Sequence, residues 1–521
     1  MGTYLIKPPI GGIVRSSSYQ DQPPFTCYDS VNIFPFDALD GHDAVATRPP
    51  LVAVTSPGFP VNAVARLNLP SPTLFSAANG KLYKRDNNAG TWAQITSSVG
   101  VTAGRWVETV PYIKRLFILN DDTPLVYDDE AGTLIEWVAT VGTVPSGARI
   151  GAVYEGAIWL AVDNQLSCCR TTNPFDWDFS VSDTGGAVAA TANALGQLLE
   201  PITALVPLQG RMLISTESTL FLMTGHPRRG GRIDQIHDSV GILGPRAWCR
   251  STKGRDVIFF TSKIGTHATE TDSIRADVVA LPISKKKIPE ELINLPFDAD
   301  DPTISMAFDQ RWDGVITTVR GDREQAWWYD TKNGGFSRFT CGEYPMGLFS
   351  FEGFMSEDTS GVLFAGSGYS GLARMDRTGS EALPEVFILM GPANMAESTR
   401  FASMINRADF VIGGRSTDLN AVFSFHTGHN GQIATIRAQT DQPVRRFDVT
   451  AETLLNNHGV CYPKLSGSAV VLRMEQPAGT TQRIVFDGVA LDLKEGLANH
   501  DSGVVPPILT SPDTSFATGT D

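Results

Sequence analysis

Tyr83-Lys84-Arg85-Asp86-Asn87-Asn88-Ala89-Gly90-Thr91-Trp92 holds an aromatic residue, an aspartate, a glycine four places after it, and a second aromatic. The phrase returns as Tyr127-Asp128-x3-Gly132, with Trp137 beyond it, and as Tyr329-Asp330-x3-Gly334-Gly335-Phe336. Its physics is that of a hairpin. The aspartate bonds the amides of its own turn, the glycine takes the positive φ, and the aromatics pack between neighbouring sheets. Around these turns the apolar runs are short and bounded by Gly, Asn, Asp or Pro, the pattern of strands. Examples are residues 115–119, 157–161, 211–215, 256–260 and 314–319, each followed by a turn and a second short run. Helical periodicity is scarce.

The second run of each unit supplies a marker: Leu82, Leu125, Leu166, Leu220, His267, Trp327 and Leu372. Successive intervals average about 48 residues, against ~40–50 for radially repeated four-stranded blades. The pattern predicts a β-propeller of about seven blades over residues 59–378. Six or eight blades fit if the two longest intervals hide insertions. Residues 1–58, with Gly11-Gly12, three consecutive serines and five prolines between Pro23 and Pro50, read as an extended N-terminal arm. The arm is expected to serve assembly rather than propeller folding, the alternative being that it supplies the propeller's closing strand. Residues 379–496 lose the period but keep strand-like runs at 422–425, 432–436, 469–472 and 483–486, which suggests a β-sandwich-like platform domain. Residues 497–521, rich in Ser, Thr, Pro and Asp, read as an extended C-terminal tail.

Composition narrows the function. With 42 Lys+Arg against 56 Asp+Glu the formal charge is −14, which disfavours a protein that grips nucleic acid through its phosphates. The start of the chain lacks a basic segment followed by an apolar run, and no stretch approaches eighteen apolar residues. Neither a signal peptide nor a membrane span is expected. Met1-Gly2 is not read as a myristoylation signal because the sixth residue is Ile6. Six cysteines without a C-x-x-C read as reduced thiols rather than a disulfide framework or zinc site.

No constellation reads as catalytic, so no enzymatic activity, cofactor or metal is expected. The propeller hydrolases of the sialidase type carry Ser-x-Asp-x-Gly-x-x-Trp, with Asp two places before Gly. Here the spacing is four in all three copies. His426-x-x-His429 lies between two strand-like runs and reads as a pair of surface turn histidines, with no third ligand at sensible spacing. Cys168-Cys169 falls in a strand, where adjacent side chains face opposite ways. Basic clusters occur at Arg228-Arg229-Gly-Gly-Arg232, Lys285-Lys286-Lys287 and Arg445-Arg446. Each reads first as a solvated loop or an inter-subunit salt-bridge partner; in the first, glycines would also let the arginine forks of Arg228, Arg229 and Arg232 approach a phosphate backbone, which makes them candidate DNA contacts.

Three phrases carry a family resemblance. They are Pro23-Pro-Phe-Thr-Cys-Tyr-Asp-Ser-Val-Asn-Ile-Phe-Pro-Phe-Asp37 with Arg48-Pro49-Pro50-Leu51, then Ser239-Val-Gly-Ile-Leu-Gly-Pro-Arg-Ala-Trp248 with the strand after it, and Tyr462-Pro-Lys-Leu-Ser-Gly-Ser-Ala-Val-Val-Leu472. In this order, around a propeller, they resemble the tail nozzle proteins of short-tailed phages, also called packaged-DNA stabilisation or head-completion proteins. The turn at Arg48 departs from the family's Arg-Pro-Gly-Leu at its glycine.

The resemblance implies a virion structural protein of the phage tail, made in the host cytoplasm. It implies a homo-oligomeric ring, commonly a hexamer, at the head-to-tail connector. Its partners would be the adaptor and portal side, with tail fibres or spikes as further candidates. Such a ring serves genome retention and then DNA ejection, passing the duplex without sequence-specific binding. Phe25, Tyr28, Asn32, Phe34, Phe36 and Arg48 of the arm are the candidate assembly interface, since exposed aromatics need burial. The alternative reading is a propeller-type tail protein that binds or hydrolyses glycans.

Overall fold

The computed structural model describes residues 2–498 except 16–21, 37–42, 68–71, 87–88, 121–122, 190–197, 199, 252–255, 275–278, 280, 296–303, 320–324, 341–346, 351–361, 366–370, 377–382, 396–400, 414–419, 429–444, 451–457 and 481–482. The expected strand at 432–436, His429 and almost all of the expected C-terminal tail lie outside the described residues. The chain forms two compact units: Leu51–Tyr329 with Thr340–Arg377, and Met1–Pro50 with Asp330–Phe339 and Thr378–Asp521.

The first unit is a β-propeller. Among the described residues seven antiparallel meanders follow one another, and we number them I to VII. Sheet I holds Val61–Leu67, Thr73–Ala78, Lys81–Arg85 and Trp92–Gln94, and sheet II holds Glu108–Tyr112, Arg115–Leu119, Leu125–Asp128 and Thr133–Glu136. Sheet III is Ile150–Tyr154, Ala157–Val162, Gln165–Cys168 and Val188–Ala189, and sheet IV is Ile202–Leu208, Arg211–Thr216, Leu220–Thr224 and Arg232–His237. Sheet V has Trp248–Ser251, Val257–Ser262 and Gly265–Glu270; sheet VI contributes Ile304–Asp309, Gly314–Val319 and Gln325–Asp330. Sheet VII is Gly347–Ser350, Val362–Ala365, Leu372–Met375 and, from the start of the unit, Leu51–Val54.

Among the described residues five of these sheets are complete four-stranded blades, against the expected seven or so. The difference has a plain cause. The sequence marker falls on the third strand of each meander, and that strand is present whether or not a fourth follows within the unit.

First strands of successive sheets touch, I on II, II on III and III on IV, then V on VI and VI on VII. Second strands are therefore covered on both faces, which is why Leu116–Leu119 read as a continuous apolar run rather than an alternating one. Phe75 of sheet I meets Tyr127 of sheet II at 4.9 Å between ring centroids. The tryptophans Trp137, Trp159 and Trp177 anchor the core that runs from sheet II to sheet IV.

The recurring turn behaves as its residues require. The Asp86 carboxylate accepts from the Ala89 amide at 3.1 Å, that of Asp128 from Glu130 and Ala131, and that of Asp330 from Asn333 at 2.8 Å. Gly90, Gly132 and Gly334 all sit near φ +66°.

The expected border between arm and propeller at residue 58 moves to Leu51. The four residues Leu51–Val54 pair with Met375–Leu372 and complete sheet VII. Residues 51–54 thus belong to the propeller, contrary to the expectation that the whole arm is dispensable for its folding.

The remainder of the arm is not an isolated element either. Gly2–Ile6, Ile33–Phe34 and Val45–Thr47 join Phe401–Gly413, His458–Cys461, Leu465–Gly467 and Val485–Ala498 in one sheet of the second unit. Asp29–Val31 inserts between Phe336–Phe339 and Val386–Asn394, beside Ala469–Gln476, Asn420–Gly428 and Arg445–Thr450. Aromatics from both sets of strands meet: Phe410 lies 4.2 Å from Phe423, and Phe423 lies 6.1 Å from Phe486.

Candidate functional site

The arm residues singled out in the sequence divide into a buried clamp and an exposed remainder. Asn32 has φ +58°, a conformation that asparagine tolerates better than most residues. Its Nδ2 donates to the Glu385 carbonyl at 2.7 Å, its Oδ1 accepts from Arg48 Nε at 2.9 Å, and its carbonyl accepts from the Arg48 amide at 3.0 Å. Arg48 is 3% exposed; its guanidinium donates to the Pro49 carbonyl at 2.8 Å and lies 4.3 Å from the centroid of Phe339. A buried cation needs such a shell of acceptors and a π face.

Phe34 is 1% exposed and Phe36 8%, the latter under Lys332 Nζ at 3.4 Å. Tyr28 is partly buried against Leu389 and Val471, with Arg15 over its ring. Asp29 beside it holds Arg15 at 3.0 Å and Arg338 Nε at 2.9 Å. The assembly-interface expectation is therefore corrected for Asn32, Phe34, Phe36 and Arg48, because their surface is already covered within this chain. Phe25, at φ +63° and 38% exposed, keeps its ring accessible beneath Lys7.

The arginine loop is corrected as well. Arg228 and Arg229 lie on the 3-10 turn Pro227–Arg229 between the third and fourth strands of sheet IV, the outer pair of that blade. Arg228 Nη2 donates to the carbonyls of Ala187 at 2.9 Å and Phe179 at 3.2 Å, and Arg229 Nε donates to that of Thr184 at 3.1 Å. Arg232 is exposed and pairs with Asp234 at 2.8 Å. Two of the three forks thus tie sheet IV to the loop before the last strand of sheet III. The glycines serve the turn itself, with Gly230 as its left-handed cap at φ +81°.

Sequence reasoning missed a charge cluster at the hub. Glu108 opens the first strand of sheet II, and Arg246 precedes the first strand of sheet V, three sheets further round. Their side chains meet at 3.3 Å, and the guanidinium stacks 4.0 Å from the Trp106 ring. Burial pulls the Arg246 pKa below its ordinary value, while Glu108 opposes the shift. The sequence signal was a charged residue at the head of an apolar inner strand.

Two buried pairs resemble nucleophile–base couples but are sealed. Ser262 Oγ lies 2.7 Å from His267 Nε2, and His267 is 1% exposed, its pKa held near 4 by desolvation. Cys168 Sγ lies 3.8 Å from His226 Nε2, and burial drives the thiol pKa far above its ordinary value. His226 Nδ1 accepts from the Arg228 amide at 3.3 Å, so the ring proton sits on Nε2 and points at the sulfur. The imidazole therefore cannot act as a base toward that thiol.

His426, expected at a surface turn, is 3% exposed inside Asn420–Gly428, with a pKa of about 4 from desolvation and then the Arg473 charge. Among the described residues no group of three or more His, Cys, Asp or Glu is placed to hold a metal ion. None of their helices is long and apolar enough to cross a membrane. A cavity of about 530 Å³ in the second unit is lined by Glu385, Val422, Arg446, Asp448, Glu475 and Gln476, and Arg446 Nε stands 3.5 Å from Asp448 within it.

No family model matches the chain, and no curated protein matches it. Solved structures resemble it in fold. The extracellular domain of a putative hybrid two-component system from B. thetaiotaomicron shares 10% identity over 73% of this chain at a TM-score of 0.42, and the chain spans 45% of that domain's length. The WD40 β-propeller domain of Doa1 shares 9% identity over 64% of this chain and 98% of its own at 0.39. Saccharomyces cerevisiae Sqt1 shares 14% over 62% and 98% at 0.38.

Proposed function

We propose that the chain is a virion structural protein without catalytic turnover, a subunit of a phage tail nozzle ring. Such a ring extends the DNA channel below the portal and adaptor, helps hold the packaged genome and then lets it pass. The observation that carries the reading is the placement of two phrases behind the resemblance. Residues 23–37 with Arg48 and residues 462–472 stand at opposite ends of the sequence, yet both are built into one unit. There the Asp29–Val31 strand pairs with Val386–Asn394, which pairs in turn with Ala469–Gln476. Thr47 Oγ1 donates to Gln476 Oε1 at 3.0 Å. Phrases that meet in space form one constellation rather than scattered likenesses.

In this reading the copies form a homo-oligomeric, hexameric ring in the virion tail. Its neighbours are the adaptor and portal-side connector, with fibres or spikes attached around it. Each copy brings a formal charge of −14, so the assembled wall is on balance anionic and a duplex moves along it without adhering. Genome retention then falls to a constriction rather than to an adhesive wall. Negative-stain microscopy of the purified protein, alone and mixed with its adaptor ring, tests the proposal. Rings of one copy number that stack on the adaptor support it; monomers in both samples, or turnover of a host envelope glycan, refute it.

A further inference from the structure

One sheet of the second unit carries an outward face unlike the rest of that unit's surface. Leu5 pairs with Ala490, Ala490 with Asp409, and Asp409 with Val460, which makes a straight row across four strands. Side chains of the neighbouring row, Leu491, Ala408 and Cys461, are buried, so the first row points away from the core. Leu5 is 54% exposed and Val460 44%; Tyr462, two residues beyond Val460, is 58% exposed. At the other end of the row Phe25 is held by Lys7 Nζ at 4.3 Å, and Tyr462 has Lys464 Nζ at 5.8 Å. Among the described residues, these four are all of the second unit's large apolar side chains that are exposed.

The charges on this face run against those of the chain. Among the described side chains, Lys7, Arg407, Lys464 and Lys494 stand against Asp409, Asp487 and Asp492, a balance of one positive charge on a protein of net −14. The four apolar groups together expose roughly 400 Å² in two pairs, Leu5 with Phe25 and Val460 with Tyr462, at the two ends of the row. A stable interface needs about 800 Å² from each partner, so the two apolar ends would have to act together with the Arg407–Asp409 pair between them.

We propose that this face is the docking surface for a second copy of the same chain, which meets it with an acidic surface elsewhere on its body. Two copies of a strongly acidic protein repel each other, and a face that is locally apolar and slightly cationic is where contact costs least. Because the two surfaces differ, the contact is head-to-tail, the type that closes into rings. The inference rests on the ring reading and names the surface that reading needs.

Sedimentation velocity of the full chain over a range of concentrations and salt, with and without the adaptor ring, tests it. Variants Tyr462→Glu, Val460→Glu and the pair Lys7→Glu/Lys464→Glu are compared with Val138→Glu, which changes an exposed propeller residue. Far-UV circular dichroism checks that each is folded. Association weakened about tenfold or more by the face variants and untouched by Val138→Glu is the expected result. Association unchanged by the face variants overturns this surface and leaves the ring reading standing. A wild-type chain that stays monomeric under every condition overturns both. Binding of duplex DNA or anionic vesicles that the face variants abolish, with self-association intact, assigns the face to another partner and equally overturns the proposal.

Discussion

Lowering the pH from 7 to 5 should destabilise the propeller, and His267 carries a share of the loss that can be separated. His267 is 1% exposed, stacks on Phe260 with ring centroids 4.8 Å apart, and keeps Nε2 at 2.7 Å from Ser262 Oγ. Desolvation holds its pKa near 4, against 6.5 for the same group in water. Between those values the unfolded chain takes up a proton that the native state refuses. The stability tied to His267 is therefore complete above about pH 6.5 and is lost progressively as the pH falls towards 4. At about 1.4 kcal/mol per pH unit, the loss by pH 5 is about 2 kcal/mol.

All nine tryptophans lie between Trp92 and Trp328, so their emission during urea unfolding reports the propeller unit alone. Carboxylates and His226 add a pH dependence of their own, which the comparison with His267→Gln cancels. The wild type should lose about 2 kcal/mol more than His267→Gln between pH 7 and pH 5. Equal losses in the two proteins, or an NMR titration of His267 centred near 6.5, would refute the reasoning.

Removal of residues 1–58 should lower the urea midpoint of tryptophan emission well below that of a chain lacking only residues 1–48, because the longer deletion takes the Leu51–Val54 strand; equal midpoints would dismiss its closing role. Replacing Arg48 by Met keeps the bulk but strands Asn32 Oδ1 and the Pro49 carbonyl. A loss of about 3 kcal/mol is expected in calorimetric unfolding of the second unit, and a loss below about 1 kcal/mol would make the clamp incidental. Tyr154 Oη donates to the Gly210 carbonyl of the next sheet at 3.0 Å. Tyr154→Phe should therefore cost about 1 kcal/mol in the tryptophan-monitored transition, and no loss would mean water replaces that bond.

Much of the propeller was legible because its turns are local. An aspartate that bonds its own loop amides and a glycine at positive φ declare themselves within five residues, as at Asp86, Asp128 and Asp330. What escaped was long-range. Nothing near Leu51 says that its partner is Met375, or that Asn32 faces Arg48 across sixteen residues and Glu385 across 353. The arm read as free because eight prolines and five serines interrupt it, so that the apolar residues that fix it, Ile33, Phe34 and Val45 among them, show no period. Arg228 and Arg229 looked like phosphate ligands because sequence shows charge but not the backbone carbonyls that already occupy it. The hub pair Arg246 and Glu108 was hidden for the same reason: one charge precedes an inner strand and the other opens one, and only closure of the ring makes them neighbours.

The Leu51–Val54 strand also fixes when the propeller can finish folding. Its partner strand lies about 320 residues downstream, and at ~5–20 residues per second a translating ribosome needs tens of seconds to deliver it. Through that interval sheets I to IV can form in order of synthesis, each resting on the one before. The ring itself stays open, with Val61, Val64 and Leu74 of sheet I still waiting for Leu372 and Val54 of sheet VII to pack on them. Folding of this unit is thus gated by the arrival of Met375, and a nascent chain stalled before that residue would present a curved, unclosed stack of sheets to the chaperones around it.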